Sequence, residues 1–221
     1  MTNSLRFNVS MRKPKVPAKP FFISFEGIDG CGKSTQLLKA ARFFSDLGYE
    51  VVETREPGGT MIGRHLRSLL LEEGAKNQRS ELLMFMLDRA EHVRQVILPA
   101  LQENKVVLCD RFIDSSIAYQ SDYSFEQIDW LNNFSTAGLK PDLTFYFDIP
   151  LEVALNRRKT RDAIDLIEAR SDTYMQNVLA RYLKNNLREP QRIKMIPATG
   201  SIEDVTEKMK EHLRRLIESK S

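Results

Sequence analysis

Gly27-Ile28-Asp29-Gly30-Cys31-Gly32-Lys33-Ser34 decides how this chain is read. It fits the pattern G-x-x-x-x-G-K-[ST] of a phosphate-cradling loop. Phe21-Phe22-Ile23-Ser24-Phe25 precedes it as a short β-prone run, and Leu37, Leu38, Ala41 and Phe44 follow at helical spacing up to Gly48. Strand, glycine loop and helix are the context the loop needs. The glycines let successive N–H groups turn toward phosphate oxygens, and the helix N-terminus adds partial positive charge. Residues Gly27, Ile28, Asp29, Gly30, Cys31, Gly32, Lys33, Ser34 and Thr35 are therefore expected to bind the triphosphate of a nucleotide. Lys33 would bring a full charge to the β- and γ-phosphates, and the Ser34 hydroxyl would ligate Mg²⁺.

The 221 residues suit a single domain. With 42% hydrophobic and 29% charged residues the composition is that of an ordinary soluble protein. A formal charge of +3 is too small to argue for nucleic acid, and no apolar run is long enough to cross a membrane. The two cysteines, Cys31 and Cys109, do not read as a disulfide framework, which favours a reducing cytoplasm. Residues 1–20 carry five basic residues and three prolines without an apolar segment, so they read as a flexible arm ahead of one domain spanning 21–221.

Further strands are expected at Tyr49–Thr54, at Lys105–Cys109 ending on Asp110, at Leu143–Asp148 and at Arg192–Ile196. Arg55 would stand just past the second of these, before the breakers Pro57, Gly58 and Gly59. A helix interrupted near Gly74 follows, and then a long one from Ser80, as N-cap, to Gln102, with Leu82, Leu83, Met86, Ala90, Val93, Ile97 and Leu101 on its apolar face and Pro99 as a point of kinking or early termination. Residues 112–138 read as two helical pieces, and Ser201 as the cap of a last helix. Strands alternating with helices imply an α/β fold, a parallel five-stranded sheet covered on both faces. Asp110 is the carboxylate that a phosphate loop requires near its Mg²⁺. From Arg157 to Arg170 the chain turns densely charged; beside a phosphate loop this reads as a mobile lid.

A GTPase switch would carry N-K-x-D, which is absent, and a motor would need further domains. A small chain with a charged lid favours a kinase acting on a small acceptor. Five stretches then carry a resemblance over about residues 21–217: Phe25–Ser34, Thr54–Thr60, Leu83–Ala90, Asp110–Gln120 and Pro141–Thr144. Together they resemble the thymidylate kinases, P-loop nucleoside monophosphate kinases that phosphorylate dTMP with ATP. The resemblance implies that Arg55 and Arg111 clamp the acceptor phosphate. It implies that Phe85 stacks on thymine and that Arg89, one helical turn on, meets a thymine carbonyl. Ser116 and Gln120 would lie near the base edge, Tyr119 beside the sugar, and Asp29 near the 3′-OH. It further implies a homodimer packed through helices, with dTMP and ATP as the partners.

The chain departs from the family pattern at Asp165-Leu166-Ile167-Glu168, where bacterial relatives have an arginine, and at Ser121-Asp122, where glycine is usual. Gly30 also stands where some relatives carry an arginine in the loop. By spacing against the family, the missing charge is assigned to Arg161, with Arg157 and Lys159 as fallbacks. The catalytic set is thus Lys33, Arg111, Arg161 and Asp29. Two alternatives are a deoxynucleoside kinase, which needs a base near a 5′-OH, and a nucleotide-binding protein without turnover.

Overall fold

The computed structural model describes residues 20–158, 166–167 and 169–220. Its sheet has five strands: β1 (Phe22–Glu26), β2 (Val51–Arg55), β3 (Val106–Asp110), β4 (Leu143–Asp148) and β5 (Ile193–Pro197). They run parallel in the order β2-β3-β1-β4-β5. All of β1 is buried, as a central parallel strand between two helical layers must be. Alternate residues part to opposite faces. Ile23, Phe25, Val106 and Leu108 pack with α1 (Lys33–Asp46) and α9 (Ile202–Lys220), while Phe22, Val107 and Cys109 pack with Val93, Ile97 and Ala100. The expected fold class is the one observed.

Between β2 and β3 lie α2 (Met61–Ser68), α3 (Gln78–His92) and α4 (Leu98–Gln102). The long helix expected from Ser80 differs in two ways. Its N-cap is Asn77, whose side chain accepts from the Ser80 N–H at 2.9 Å. Asn caps as well as Ser and stands one turn earlier. It is also not uniform: a π-helical turn at Val93–Ile97 separates α3 from α4, and Pro99 lies in the first turn of α4, where its missing N–H costs nothing. Leu83, expected on the buried stripe, is 53% exposed, because Leu82 and Met86 face inward instead.

After β3 come α5 (Ile113–Tyr119) and α6 (Phe125–Thr136), the latter opened by a capping box between Ser124 and Gln127. α7 (Leu151–Arg158) follows β4, and α8 (Asp172–Arg188) precedes β5. Ser201 caps the last helix by accepting from the Asp204 N–H at 3.1 Å. The carboxyl ends of β1, β2 and β3 meet at one edge, with Phe25 and Arg55 both in register with Asp110. That edge is where a parallel sheet binds ligands.

Candidate active site

The phosphate loop leaves the end of β1 and opens α1. Gly30 has φ +89°, and a Cβ there would come within 2.5 Å of the Ala154 carbonyl oxygen. Only glycine fits, which explains why no arginine stands at this position. The N-terminus of α1 has neither a side-chain cap nor an acidic residue in its first turn, so its N–H groups are left to an anion. The Lys33 ammonium donates to the carbonyls of Gly27 (3.0 Å) and Ile28 (3.2 Å) and pairs with Asp29 (3.3 Å). Burial and Arg111 oppose its charge, but Asp29 and Asp110 outweigh them, and its pKa is raised above the usual lysine range.

The Ser34 hydroxyl donates to Asp110 Oδ2 at 3.2 Å, and Asp110 Oδ1 is buried with no hydrogen-bond partner among the described residues. An orphaned carboxylate oxygen beside a hydroxyl fits a hard divalent cation whose other ligands are phosphate and water. Among the described residues no cluster of three or more His, Cys, Asp or Glu side chains could hold a metal unaided, so such an ion would have to be shared with the nucleotide.

A cavity of about 570 Å³ opens beside the loop, lined by Asp29, Arg55, Phe85, Arg89, Arg111, Ser116, Tyr119 and Gln120 among others. Every acceptor-side residue expected from the sequence is therefore brought to one wall or another of it. Arg55 ends β2, is exposed, and forms no ion pair among the described residues. Arg111 follows β3 with φ 71°, an uncommon conformation for a residue with a side chain. Its N–H is held by the Phe25 carbonyl at 3.0 Å. Its guanidinium donates to Asp29 (2.9 Å) and Ser115 (3.3 Å) and lies 5.0 Å over the Tyr119 ring. The Tyr119 hydroxyl is buried with no hydrogen-bond partner among the described residues. Phe85 is half-buried, and the Gln120 amide donates to Glu81 at 3.2 Å.

Arg89, which the resemblance sets against a thymine carbonyl, is held mostly by protein partners. It is 1% exposed, and four of its five N–H groups are taken by Glu56, Ser116, Asn132 and the Phe112 carbonyl. Among the described residues one Nη2 N–H has no partner. Behind the site Glu26 is fully buried and accepts from the Phe112 N–H (2.7 Å), Ser115 (2.6 Å) and Tyr182 (3.0 Å). Burial first, and then Asp114, push its pKa from an ordinary 4.5 to about 7. The sequence reading passed over both Glu56 and Glu26. The available signal was a carboxylate at the end of an otherwise apolar strand and another beside a clamp arginine.

Most of the lid expectation, including Lys159 and Arg161, lies outside the described residues, as does residues 1–19 of the arm. At its edges the basic run divides. Arg170 is engaged by Glu81 and lies 4.8 Å over the Tyr174 ring. Leu166 and Ile167 line the acceptor cavity, and the Leu166 N–H is held by the Leu71 carbonyl at 3.0 Å. Arg157 does not face that cavity. It sits on α7, donates to the Ala198 carbonyl at 3.1 Å, and lines a second cavity of about 410 Å³ with Gly32, Thr35, Gly200 and Ser201. Ala198, Gly200 and Ser201 thus wall this second cavity, a placement that the sequence reading did not anticipate, although a Gly-Ser pair past a strand end was a usable sign.

A phosphate loop at the carboxyl edge of a five-stranded parallel sheet, with a cavity on either side of it, gives the chain the fold of the P-loop nucleoside monophosphate kinases. Comparison with known proteins is more specific. The family model for thymidylate kinase matches residues 25–209. A thymidylate kinase of Exiguobacterium sibiricum is 43% identical over 189 residues, 83% of this chain and 89% of that one. One of Kosmotoga olearia is 44% identical over 192 residues, 85% and 92% of the respective chains. The crystal structure of thymidylate kinase from Ehrlichia chaffeensis matches with a TM-score of 0.71 at 32% identity, over 89% of this chain and 99% of that one. The chain belongs to the thymidylate kinase family.

Proposed function

We propose that the chain transfers the γ-phosphoryl group of ATP to dTMP, giving dTDP and ADP for dTTP synthesis. The observation that carries this reading is the exposed Arg55 at the end of β2, on the acceptor cavity with Arg111, beside a complete phosphate loop. An acceptor that already bears a phosphate supplies its own nucleophilic oxygen and needs no base; it needs positive charge to approach a triphosphate. A deoxynucleoside kinase would need the reverse.

In this reading the phosphate-loop N–H groups and Lys33 hold the β- and γ-phosphates. Arg55 and Arg111 hold the dTMP phosphate, bidentate where geometry allows. An oxygen of that phosphate attacks the γ-phosphorus in line, the bond to the β-bridging oxygen breaks, and its electron pair leaves with ADP. Asp29, gripping Lys33 and Arg111 at once, keeps the donor and acceptor charges in register and stands near the sugar 3′-OH. Phe85 stacks on thymine, Arg89 donates its remaining N–H to a carbonyl, Ser116 and Gln120 border the base, and Tyr119 closes the sugar side. Ser34 and Asp110 would hold Mg²⁺, which neutralises phosphate charge when bound. Arg161 supplies the further charge at the transferred group, and the segment around 157–170 acts as the lid.

The larger assembly in this reading is a homodimer. Trp130 and Phe134 on α6 stack 5.7 Å apart while 66% and 76% exposed, and Leu83 and Leu87 are exposed on the adjacent α3. Such a patch suits a second copy of the same helices. A cytoplasmic setting agrees with the free, buried cysteines. Release of ADP measured with ATP and each of dTMP, dUMP, dCMP, AMP and thymidine tests the function. dTMP is expected to be the best acceptor; faster turnover of thymidine or AMP would overturn the assignment.

A further inference from the structure

We propose that Glu56 and His92 are positioning residues for the acceptor nucleotide, holding the base-side guanidinium of Arg89 and the phosphate-side Arg55 in one frame. This rests on the dTMP kinase reading and assigns a role to two residues which that reading leaves unused. Glu56 is buried and directly follows Arg55. Its N–H donates to the Asp110 carbonyl at 2.9 Å. Its carboxylate is divided: Oε2 accepts from Arg89 Nε at 2.9 Å, and Oε1 lies 2.9 Å from His92 Nδ1. A carboxylate only accepts, so Nδ1 carries the hydrogen of that bond. The other imidazole nitrogen, Nε2, is 2.6 Å from Thr54 Oγ1. One buried ring therefore ties down the residues on both sides of Arg55.

The arrangement joins two specificities. Among the described residues Glu56 is the only charged partner in the hydrogen-bond set of Arg89; Ser116, Asn132 and the Phe112 carbonyl are neutral. It sets the plane of the guanidinium, and hence the direction of the N–H left for the base. Through His92 the same carboxylate fixes the end of β2, from which Arg55 reaches the phosphate. α3 grips the loop once more where Asp88 accepts from the Gly58 N–H at 3.0 Å. Gly59 completes the fit. A Cβ there would fall 2.4 and 2.5 Å from two atoms of the His92 ring, although its backbone is not in the left-handed region. Glycine is required at this position by the imidazole.

An arginine can only donate, and cytosine presents an amino donor where thymine has a carbonyl. A guanidinium held in a fixed direction rejects cytosine; one free to turn rejects it less. The experiment is steady-state kinetics of the full chain with ATP and either dTMP or dCMP. Two variants act on the frame without entering the base contact. Glu56→Gln keeps the shape and removes the charge. Gly59→Ala pushes on the His92 ring from the half-buried loop without deleting or neutralising any buried polar group, so it reports even where the first variant fails to fold. In both, the ratio of kcat/KM for dTMP over dCMP is expected to fall at least about tenfold, the scale of one buried polar group losing its partner. KM for ATP should stay within about threefold. Arg55→Ala, by contrast, should lower both acceptors by one common factor and leave the ratio unchanged. A ratio within about twofold of wild type in Glu56→Gln and Gly59→Ala would overturn the proposal and reduce Glu56 and His92 to fold stabilisers. Failure of the underlying reading shows separately, because the unmodified chain would then not prefer dTMP.

Discussion

Lys33 and Arg89 are both buried cations at the same edge of the sheet, yet they are held in different ways. Lys33 is held by its own loop, through Gly27, Ile28 and Asp29, four to six positions away. Arg89 is held by Glu56, Phe112, Ser116 and Asn132, which lie 23 to 43 positions away. The donor side is a local motif that carries its own geometry. The acceptor side is an assembly in which β2, α3 and α5 each contribute a wall, positioned by a parallel sheet. A local motif should fail at the chemical step when altered. An assembled wall should fail in recognition, acceptor by acceptor.

The largest effect tests the local motif. Lys33→Ala should cut kcat by at least about a hundredfold, the scale of losing a preorganised charge at the transition state. Near-normal kcat in rapid-quench turnover would remove the loop from the chemistry. Arg161→Ala should lower kcat by roughly a hundredfold as well, by the logic of arginine fingers, while leaving dTMP binding intact. Full kcat in Arg161→Ala, with loss in Lys159→Ala instead, would move the role to that lysine.

The assembled side predicts a different split. Arg55→Ala should weaken dTMP by about tenfold or more, the scale of a charge-assisted contact, and leave ATP nearly unchanged in separate titrations. Equal losses for the two nucleotides would break the distinction between the walls. Arg157→Ala sharpens it from the other direction. Because Arg157 lines the cavity beyond the phosphate loop, its loss should raise KM for ATP several-fold, about as much as one hydrogen bond, with dTMP unaffected.

The smallest effect concerns the buried carboxylate behind both walls. Glu26 keeps its proton in the folded state up to about pH 7, whereas an ordinary glutamate loses it near 4.5. In that window the folded chain binds more protons than the unfolded one. The contribution to stability is therefore full below about pH 4.5 and is lost as pH rises through about 7. Asp88, pushed by burial and then by Glu56 to about 6, acts in the same direction. Melting temperature should fall between pH 5 and 8, and Glu26→Gln should reduce that fall by a few degrees without abolishing it. An unchanged slope in the variant would mean that Glu26 ionises normally.

How much was legible follows the same division. Gly27–Ser34, the helix after it and the five parallel strands could be read from adjacent residues, since periodicity and loop chemistry are properties of short windows. The Ser201 cap and the two-piece helix over 112–138 could be read for the same reason. The N-cap at Asn77 was misplaced because two good capping residues stand one turn apart, and only backbone geometry chooses between them. That Arg157, at the start of the charged run, lines the second cavity could not be read from the sequence, because charge density says nothing about which way a helix points.

By itself the sequence determined the class of chemistry. A phosphate loop needs only contiguous glycines, a lysine and a hydroxyl, and these bring their own N–H groups and charge wherever the strand before them ends. Tertiary structure alone decided that Arg89 is nearly saturated by protein partners, that Glu56 and His92 bracket Arg55, and that Arg157, Ala198, Gly200 and Ser201 wall a second cavity. Those relations depend on side chains tens of positions apart meeting at the carboxyl edge of the sheet. Their register and burial are set by strand pairing and helix packing, which no single window of sequence contains.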